Sequence, residues 1–197
     1  GEVTGASMVK GFQALDYGYA GRRAWLSTPE EGGTGTWMLH GVHSVAQLRS
    51  IFGEVATVYL REHRIDAFQR DDLEGTMSGL LTMVSGVHIS IVQTCETHLR
   101  PEMKGYTIYG EQASLRVSRE GYQVLAKAHE PVWIKYPAEA LSPYAREMAA
   151  FADTVAGRSI GPTTGRSERR SLAVVQAGYE SARTGRPVDL QDRFGEL

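Results

Sequence analysis

The sequence is short of cysteine, net charge and long apolar runs, and each shortage excludes a class of protein. Its 197 residues contain one cysteine, Cys95, which excludes an intramolecular disulfide framework and fits a reducing compartment, here the cytoplasm. The formal net charge of −2 predicts no basic surface of the kind that binds nucleic acid. No apolar run approaches the roughly 20 residues that cross a bilayer, and no basic-then-apolar signal peptide opens the chain. We therefore expect neither nucleic acid nor a membrane as a partner.

Two further motifs are missing. No G-x-G-x-x-G follows a predicted strand, and the cluster Gly32-Gly33-Thr34-Gly35 does not match that dinucleotide fingerprint. His40 and His43 are spaced i, i+3, and Cys95 and His98 form C-x-x-H, whereas a structural zinc site needs about four ligands. We therefore expect no dinucleotide site and no metal site in this chain.

The most informative segment present runs from Trp25 to Gly53, where the glycine cluster opens into a predicted helix. At ~100° per residue, Leu39 and His43 fall on the side opposite the apolar residues, with His40 beside them. The two histidines are predicted to face a cleft, with simple solvation as the alternative. The free N–H groups at the start of the helix are expected to attract an anion or a polar ligand. The apolar side is predicted to comprise Met38, Val42, Val45, Leu48 and Phe52.

The same segment carries a family resemblance. It follows, without a gap, a pattern close to W-R-x-D-P-x-x-A-G-G-G-x-L-x-D-x-G-x-H-x-x-D-x-x-R-x-x-x-G, which resembles the signature of the glucose–fructose oxidoreductase / inositol dehydrogenase / MocA (Gfo/Idh/MocA) family. The segment YTIYGEQASLRV resembles a hairpin of that family, and the last 40 or so residues resemble its C-terminal region, so the resemblance covers essentially the whole chain. The matching residues of the signature are Trp25, Pro29, Gly33, Gly35, Gly41, His43, Arg49 and Gly53.

The resemblance implies a domain organisation and an activity. Residues 1–197 would be a single C-terminal substrate-binding and oligomerisation domain, with the N-terminal Rossmann domain absent from this chain. The complete protein would be an NAD(P)-dependent oxidoreductase acting on a sugar, polyol or related alicyclic alcohol. NAD or NADP would be bound mainly by the missing domain, so the isolated chain is not expected to be active. A homodimer or tetramer would form through the open face of the sheet.

The resemblance also implies site residues. His43 would be catalytic, holding or protonating the substrate hydroxyl. The aspartate that assists it in the family is replaced by Leu39, and a second family aspartate is replaced by Ala46, so His40 is expected to take part of that role. The candidate substrate-binding residues are Gly33, Thr34, Trp37, His98 and Arg100. Buried packing is the alternative for Trp37, and a solvated strand end for His98 and Arg100.

Two other functions remain open in the sequence. The loss of the aspartate at Leu39 fits a non-catalytic dimerisation or small-molecule-sensing module with the same fold. A lyase-like or hydrolase-like branch of the family, using the dinucleotide differently, is the third alternative.

The hydrophobic patterns predict an α+β fold, with an open, largely antiparallel mixed β-sheet and helices packed on one face. An N-cap at Ser142-Pro143 starts one late helix, which ends near Gly157, and Gly185 ends the last. Tyr106, Ile108 and the hairpin of residues 80–92 are candidates for a surface that meets a partner subunit, with core packing as the alternative. The predicted strands are residues 2–19, 55–60, 80–84, 87–92, 106–109, 113–117 and 122–126.

Overall fold

The computed structural model describes residues 1–12, 35–64, 74–127, 130–161 and 163–197. The strands are β1 (Val3–Gly11), β2 (Val55–His63), β3 (Thr76–Met83), β4 (His88–Thr94), β5 (Gly105–Gly110), β6 (Ser114–Val117), β7 (Gly121–Leu125), β8 (Trp133–Lys135) and β9 (Val188–Asp189). The helices are α1 (Val42–Phe52), α2 (Pro143–Val155), α3 (Gly165–Thr184) and α4 (Leu190–Phe194). A π-helical turn, Trp37–Gly41, leads directly into α1, and a 3₁₀ turn covers Pro101–Met103.

The nine strands form one sheet in the order β8-β7-β6-β5-β1-β4-β3-β2-β9. Only β1 and β4 pair in parallel among the described strands, and the other pairs are antiparallel. The open, largely antiparallel α+β prediction is therefore confirmed. The parallel pair brings the carboxyl ends of β1 and β4 to the same edge of the sheet.

Most predicted strands are confirmed with shifted ends. The hairpin predicted around Ser85-Gly86 is β3–β4, and Gly86 adopts the positive φ of 88° that its tight turn requires. β1 ends at Gly11, and residues 13–19 of its predicted extent lie outside the described residues. The short edge strands β8 and β9 were not predicted, because two or three residues carry too little periodicity to be recognised.

Helices α1 and α3 pack on one face of the sheet, and the core lies between them and strands β1 to β4. The predicted apolar side of the histidine helix is confirmed: Val45 and Leu48 are fully buried, and its other members pack partly buried against the core. α1 ends as predicted at Gly53, whose φ of 86° suits glycine. The other fully or nearly fully buried core side chains include Met8, Trp37, Val58, Leu60, Met77, Leu81, Met83, Ile89, Ile91, Val174 and Val175.

Arg49, a residue of the family signature, fastens the end of α1 to α3. Its Nε donates to Glu54 Oε2 at 2.8 Å, and its Nη1 donates to Ser171 Oγ at 2.7 Å. Arg170 contacts the same carboxylate at 3.0 Å. The hydrogen bond from Arg49 is the main cause that lowers the pKa of Glu54, with Arg170 adding to it. The role of Arg49 is therefore to hold α1 in place.

Helix α2 begins as predicted, with Ser142 Oγ accepting from the backbone N–H of Ala145 at 3.2 Å. Its apolar stripe, however, is not packed within the described part of the chain. Tyr144, Met148, Phe151 and Val155 are 63% to 79% exposed, and α2 contains no buried residue.

None of the helices that the structure describes is long and apolar enough to cross a membrane.

Candidate functional site

A cavity of about 1060 Å³ lies at the carboxyl end of β1, between that strand, α1 and β5. Its polar groups come from elements that are far apart in sequence, so the sheet assembles them. The lining includes Lys10, Phe12, His40, His43, Ser44, Gln47, Gln93, Glu102, Lys104, Tyr106, Arg116, Arg119, Glu120 and Trp133.

His40, His43 and Gln47 form the contribution of the histidine helix to this cavity. They are spaced i, i+3 and i+7, so one helix face carries all three side chains, and each is exposed. Phe12 packs edge-on against the His40 ring, with 4.4 Å between ring centroids. Burial lowers the pKa of His40, and the electrostatic influence of His43 lowers it further, which favours the neutral imidazole. A neutral imidazole can accept a proton from a hydroxyl group.

Lys10, on β1, faces the helix that carries the two histidines. Alternation along the strand puts Lys10 on the same side as Ala6 and Met8, which are buried beneath the helices. Its Nζ donates to Gln47 Oε1 and lies 4.8 Å from the ring centroid of Tyr106. Tyr106 donates its hydroxyl to the same Gln47 oxygen. Burial lowers the pKa of Lys10 to about 8 and raises the pKa of Tyr106.

Gln93 forms the floor of the cavity next to Lys10. It is the partner of Lys10 in the parallel β1–β4 register, and its side chain is fully buried. Gln93 Oε1 accepts a hydrogen bond from Ser44 Oγ at 2.8 Å, which ties the floor to α1. The histidine face is therefore held in a fixed position over the sheet.

The start of the histidine helix is occupied by the protein itself. Trp37 N–H donates to Glu74 Oε1 at 2.7 Å, and Met38 N–H donates to the Tyr179 hydroxyl at 3.1 Å. The Tyr179 hydroxyl donates to Glu74 in turn, at 3.0 Å. These two N–H groups are therefore not free for an external anion, because the Glu74 carboxyl and the Tyr179 hydroxyl already accept from them. Burial is the main cause that raises the pKa of Glu74.

Gly35 leaves the space that the Glu74 carboxylate fills. A Cβ at this position would lie 1.6 Å from Glu74 Oε2, and two hydrogen bonds hold that carboxylate where it is. We expect Gly35→Ala to lower the free energy of unfolding by about 1–3 kcal/mol, measured by urea denaturation. The matched control is Gly165→Ala at the start of α3, where a Cβ meets nothing within 4 Å. Equal stabilities for the two variants would contradict the explanation.

Lys10 gives the fold a pH dependence of known sign. Its pKa falls from 10.5 to about 8 on folding, so the unfolded chain binds more protons between these values and stability rises with pH across that window. Lys10→Met removes the cost of partly burying the lysine charge, so the variant should be more stable than the parent chain near pH ~8. We expect this advantage in the free energy of unfolding to shrink by about 1–2 kcal/mol between pH ~8 and ~10.5, a range that already allows for solvent in the cavity.

The measurement for Lys10→Met is a series of urea unfolding curves over the alkaline range. Lys135→Met, at an exposed position of β8 that does not line the cavity, is the control with the same change in charge. Parallel pH profiles for the Lys10 variant and the parent chain would show that the lysine is solvated normally.

Of the other predicted site residues, the three that the structure describes do not line the cavity. Trp37 is fully buried and donates its indole N–H to the Val175 carbonyl at 3.1 Å, so its ring cannot stack on a ligand. Arg100 is largely exposed and lies 3.5 Å from Glu102, and neither it nor His98 lines the cavity. Gly33 and Thr34 lie outside the described residues.

Three lining residues were missed as site residues by sequence reasoning. Tyr106 was assigned to a partner-facing surface, but it stands opposite Met8 in the β1–β5 register and therefore faces the cavity side of the sheet. Gln47 and Lys10 were not singled out. A lysine on the core-facing side of a strand was the available signal for Lys10, because that side otherwise carries buried apolar residues.

Within the ranges that the structure describes, no group of three or more His, Cys, Asp or Glu side chains could hold a metal ion. Cys95, half of the C-x-x-H pair, is fully buried.

The sequence match and the fold together decide the family. Residues 1–116, more than half of the chain, match the GFO/IDH/MocA C-terminal domain. The chain belongs to this family. The resemblance of the histidine segment to the Gfo/Idh/MocA signature is thereby confirmed. No curated protein matches the sequence.

Solved structures of Gfo/Idh/MocA-like fold support the architecture. An oxidoreductase from Agrobacterium radiobacter, in complex with NAD⁺, L-tartaric acid and magnesium, superposes with a TM-score of 0.80 at 22% identity over 98% of this chain and 58% of that one. The aldose-aldose oxidoreductase from Caulobacter crescentus, complexed with glycerol, superposes with a TM-score of 0.78 at 19% identity, over 96% of this chain and 56% of that one. The WlbA dehydrogenase from Bordetella pertussis, in complex with NADH and UDP-GlcNAcA, superposes with a TM-score of 0.73 at 24% identity, over 96% of this chain and 55% of that one.

The chain thus spans a little over half the length of these structural relatives. Its described residues contain no glycine-rich strand–turn–helix of the kind that cradles a pyrophosphate, and Glu74 occupies the start of the histidine helix.

Proposed function

We propose that this chain is the substrate-binding domain of an NAD(P)-dependent oxidoreductase that acts on a carbinol carbon of a sugar, polyol or related alicyclic alcohol. The observation that carries the proposal is the pair His40 and His43 on one helix face, lining a cavity of about 1060 Å³. That volume accommodates a small sugar derivative, and the lining offers several hydrogen-bonding groups. The relatives crystallised with glycerol, tartaric acid and a sugar nucleotide support the substrate class.

In this proposal His43 handles the proton at the substrate oxygen. A nicotinamide held by a domain outside this chain supplies the hydride acceptor. When the carbinol is oxidised, His43 accepts the hydroxyl proton, and in the reverse direction it returns the proton to the carbonyl oxygen. His40 stays neutral and hydrogen-bonds the same region, in place of the aspartate that Leu39 replaces. Gln47 and Lys10 orient the neighbouring part of the substrate.

Two further parts of the proposal concern the setting of the domain. Self-association through the open sheet face is supported by Tyr59, Leu80 and Tyr109, which are 37% to 44% exposed on strands of the sheet. A cytoplasmic location is supported by the single, buried cysteine.

The test is to express the reading frame that contains this chain together with any coding sequence upstream. Reduction of NAD⁺ or NADP⁺ is then followed by nicotinamide absorbance over a panel of polyols, sugars and sugar acids. We expect turnover with at least one class. The absence of turnover with every member, from a folded protein that binds NADH, would overturn the proposal.

The second candidate is a non-catalytic sensing or dimerisation module. It is favoured by one specific observation, since both positions of the family aspartates carry aliphatic residues, Leu39 and Ala46. Ligand binding without turnover in the same experiment is the result expected of such a module.

A further inference from the structure

The cavity has an excess of positive charge. Its lining carries four lysine and arginine side chains against two carboxylates. The positively charged side chains are those of Lys10, Lys104, Arg116 and Arg119. The carboxylates are those of Glu102 and Glu120.

One of the two carboxylates, that of Glu102, is directed at a cation outside this group. Glu102 already lies 3.5 Å from Arg100, a cation that does not line the cavity. Arg116 reaches Glu102 through the backbone carbonyl rather than through the carboxylate. The excess charge is therefore available to a ligand.

Lys10 is partly buried and lacks an acidic partner among the residues that the structure describes. Its Nζ donates to the neutral amide of Gln47 and lies over the neutral ring of Tyr106. Burial is the cause that lowers its pKa, with no carboxylate to restore it. A partly desolvated cation without a counter-ion costs stability, and this cost is recovered when an anion binds to it.

From this geometry we infer that the cavity takes an anionic substrate, a sugar or polyol derivative whose carboxylate or phosphate pairs with Lys10 while its hydroxyl meets His43. The inference rests on the proposed function for the hydroxyl chemistry, and adds the charge of the substrate. The charged group binds at the β1 side of the cavity, and the reacting carbon lies toward α1.

The experiment measures binding to the purified chain by titration calorimetry, using pairs that differ in charge. The pairs are D-glucuronate with D-glucuronamide, D-gluconate with D-glucitol, and D-glucose 6-phosphate with D-glucose. We expect the anion of at least one pair to bind roughly 10- to 100-fold more tightly than its neutral partner. The first two pairs report on a carboxylate and the third on a phosphate. Equal affinities within all three pairs would overturn the inference.

Variants then assign the charge to its residue. In Lys10→Met we expect the preference for the anion to fall to within about twofold, because the pairing group is gone. Lys135→Met, which changes the same charge outside the cavity, is expected to keep the preference. A preference that survives Lys10→Met, or is lost equally in both variants, would overturn the assignment. Circular dichroism checks that each variant is folded.

Two further measurements distinguish an anionic substrate from a simple anion site and from a neutral substrate. Acetate and inorganic phosphate carry the charge without the hydroxyls, and affinities equal to those of the sugar acids would overturn the substrate assignment in favour of a simple anion site. Turnover of neutral polyols alone, in the oxidoreductase assay, would leave the proposed function standing while removing the anionic substrate.

Discussion

Replacing His43 by alanine is expected to lower turnover about 10²- to 10⁴-fold in the oxidoreductase assay, with a smaller change in KM. The reason is that His43 lines the cavity and, in the proposed function, accepts the proton of the substrate hydroxyl. Without it, the proton at the carbinol oxygen has no positioned acceptor. His40→Ala is expected to produce a smaller loss, because His40 supports rather than replaces this role.

The matched control is His88→Ala. His88 is an exposed histidine on β4 that does not line the cavity, so its removal should leave turnover unchanged. If His43→Ala retains full turnover with an intact fold, the proton transfer does not depend on His43 and the catalytic role proposed for this residue is wrong.

Replacing Trp37 by alanine is expected to lower the free energy of unfolding by about 3–5 kcal/mol. The indole is fully buried, donates to the Val175 carbonyl, and fits between Gly41 and Gly178, where an added Cβ would lie 2.3 Å and 2.5 Å from the ring. Because glycine has no side chain, neither residue can fill the void that the smaller alanine side chain leaves. The loss should therefore approach the upper end of the usual range for a large core residue.

Urea denaturation followed by far-UV circular dichroism measures this loss. Trp133→Ala provides the comparison, since Trp133 is 36% exposed on the edge strand β8 and its removal should cost about 1 kcal/mol or less. Similar losses for both tryptophans would indicate that Trp37 is not the centre of the core.

Local patterns predicted the elements well where one face is buried over several turns or residues. The helix that ends at Gly53, the β3–β4 hairpin and the helix that ends at Gly185 all follow from periodicity and from glycine at a positive φ. These signals operate within about 20 residues of the chain, so no tertiary information is needed to recognise them.

The composition of the site could not be predicted in the same way, because it depends on long-range pairing. Lys10 and Gln93 meet only through the parallel β1–β4 register, and Tyr106 joins them through β5. The histidines were found because one helix carries both and because the signature contains His43. Lys10 neither shares an element with another site residue nor belongs to the signature, so it was not found.

Helix α2 illustrates the limit of an amphipathic pattern. Its apolar residues recur with the period of a helix, and the structure leaves Phe151 63% exposed and Tyr144 79% exposed. A pattern of this kind indicates that a face is suited to burial, but it carries no information about the surface that covers it.

The carboxylate of Glu74 has a consequence for the order of folding. It lies 37 residues beyond the Trp37 N–H that it binds, just before β3, so the first turn of the histidine helix is completed only when that distant strand is in place. A peptide of residues 35–53 is about the length at which isolated helices are marginal in water, and it lacks this contact. We therefore expect the histidines to reach their final orientation late, after the slower non-local strands have paired, and a transplanted helix to carry the residues without their geometry.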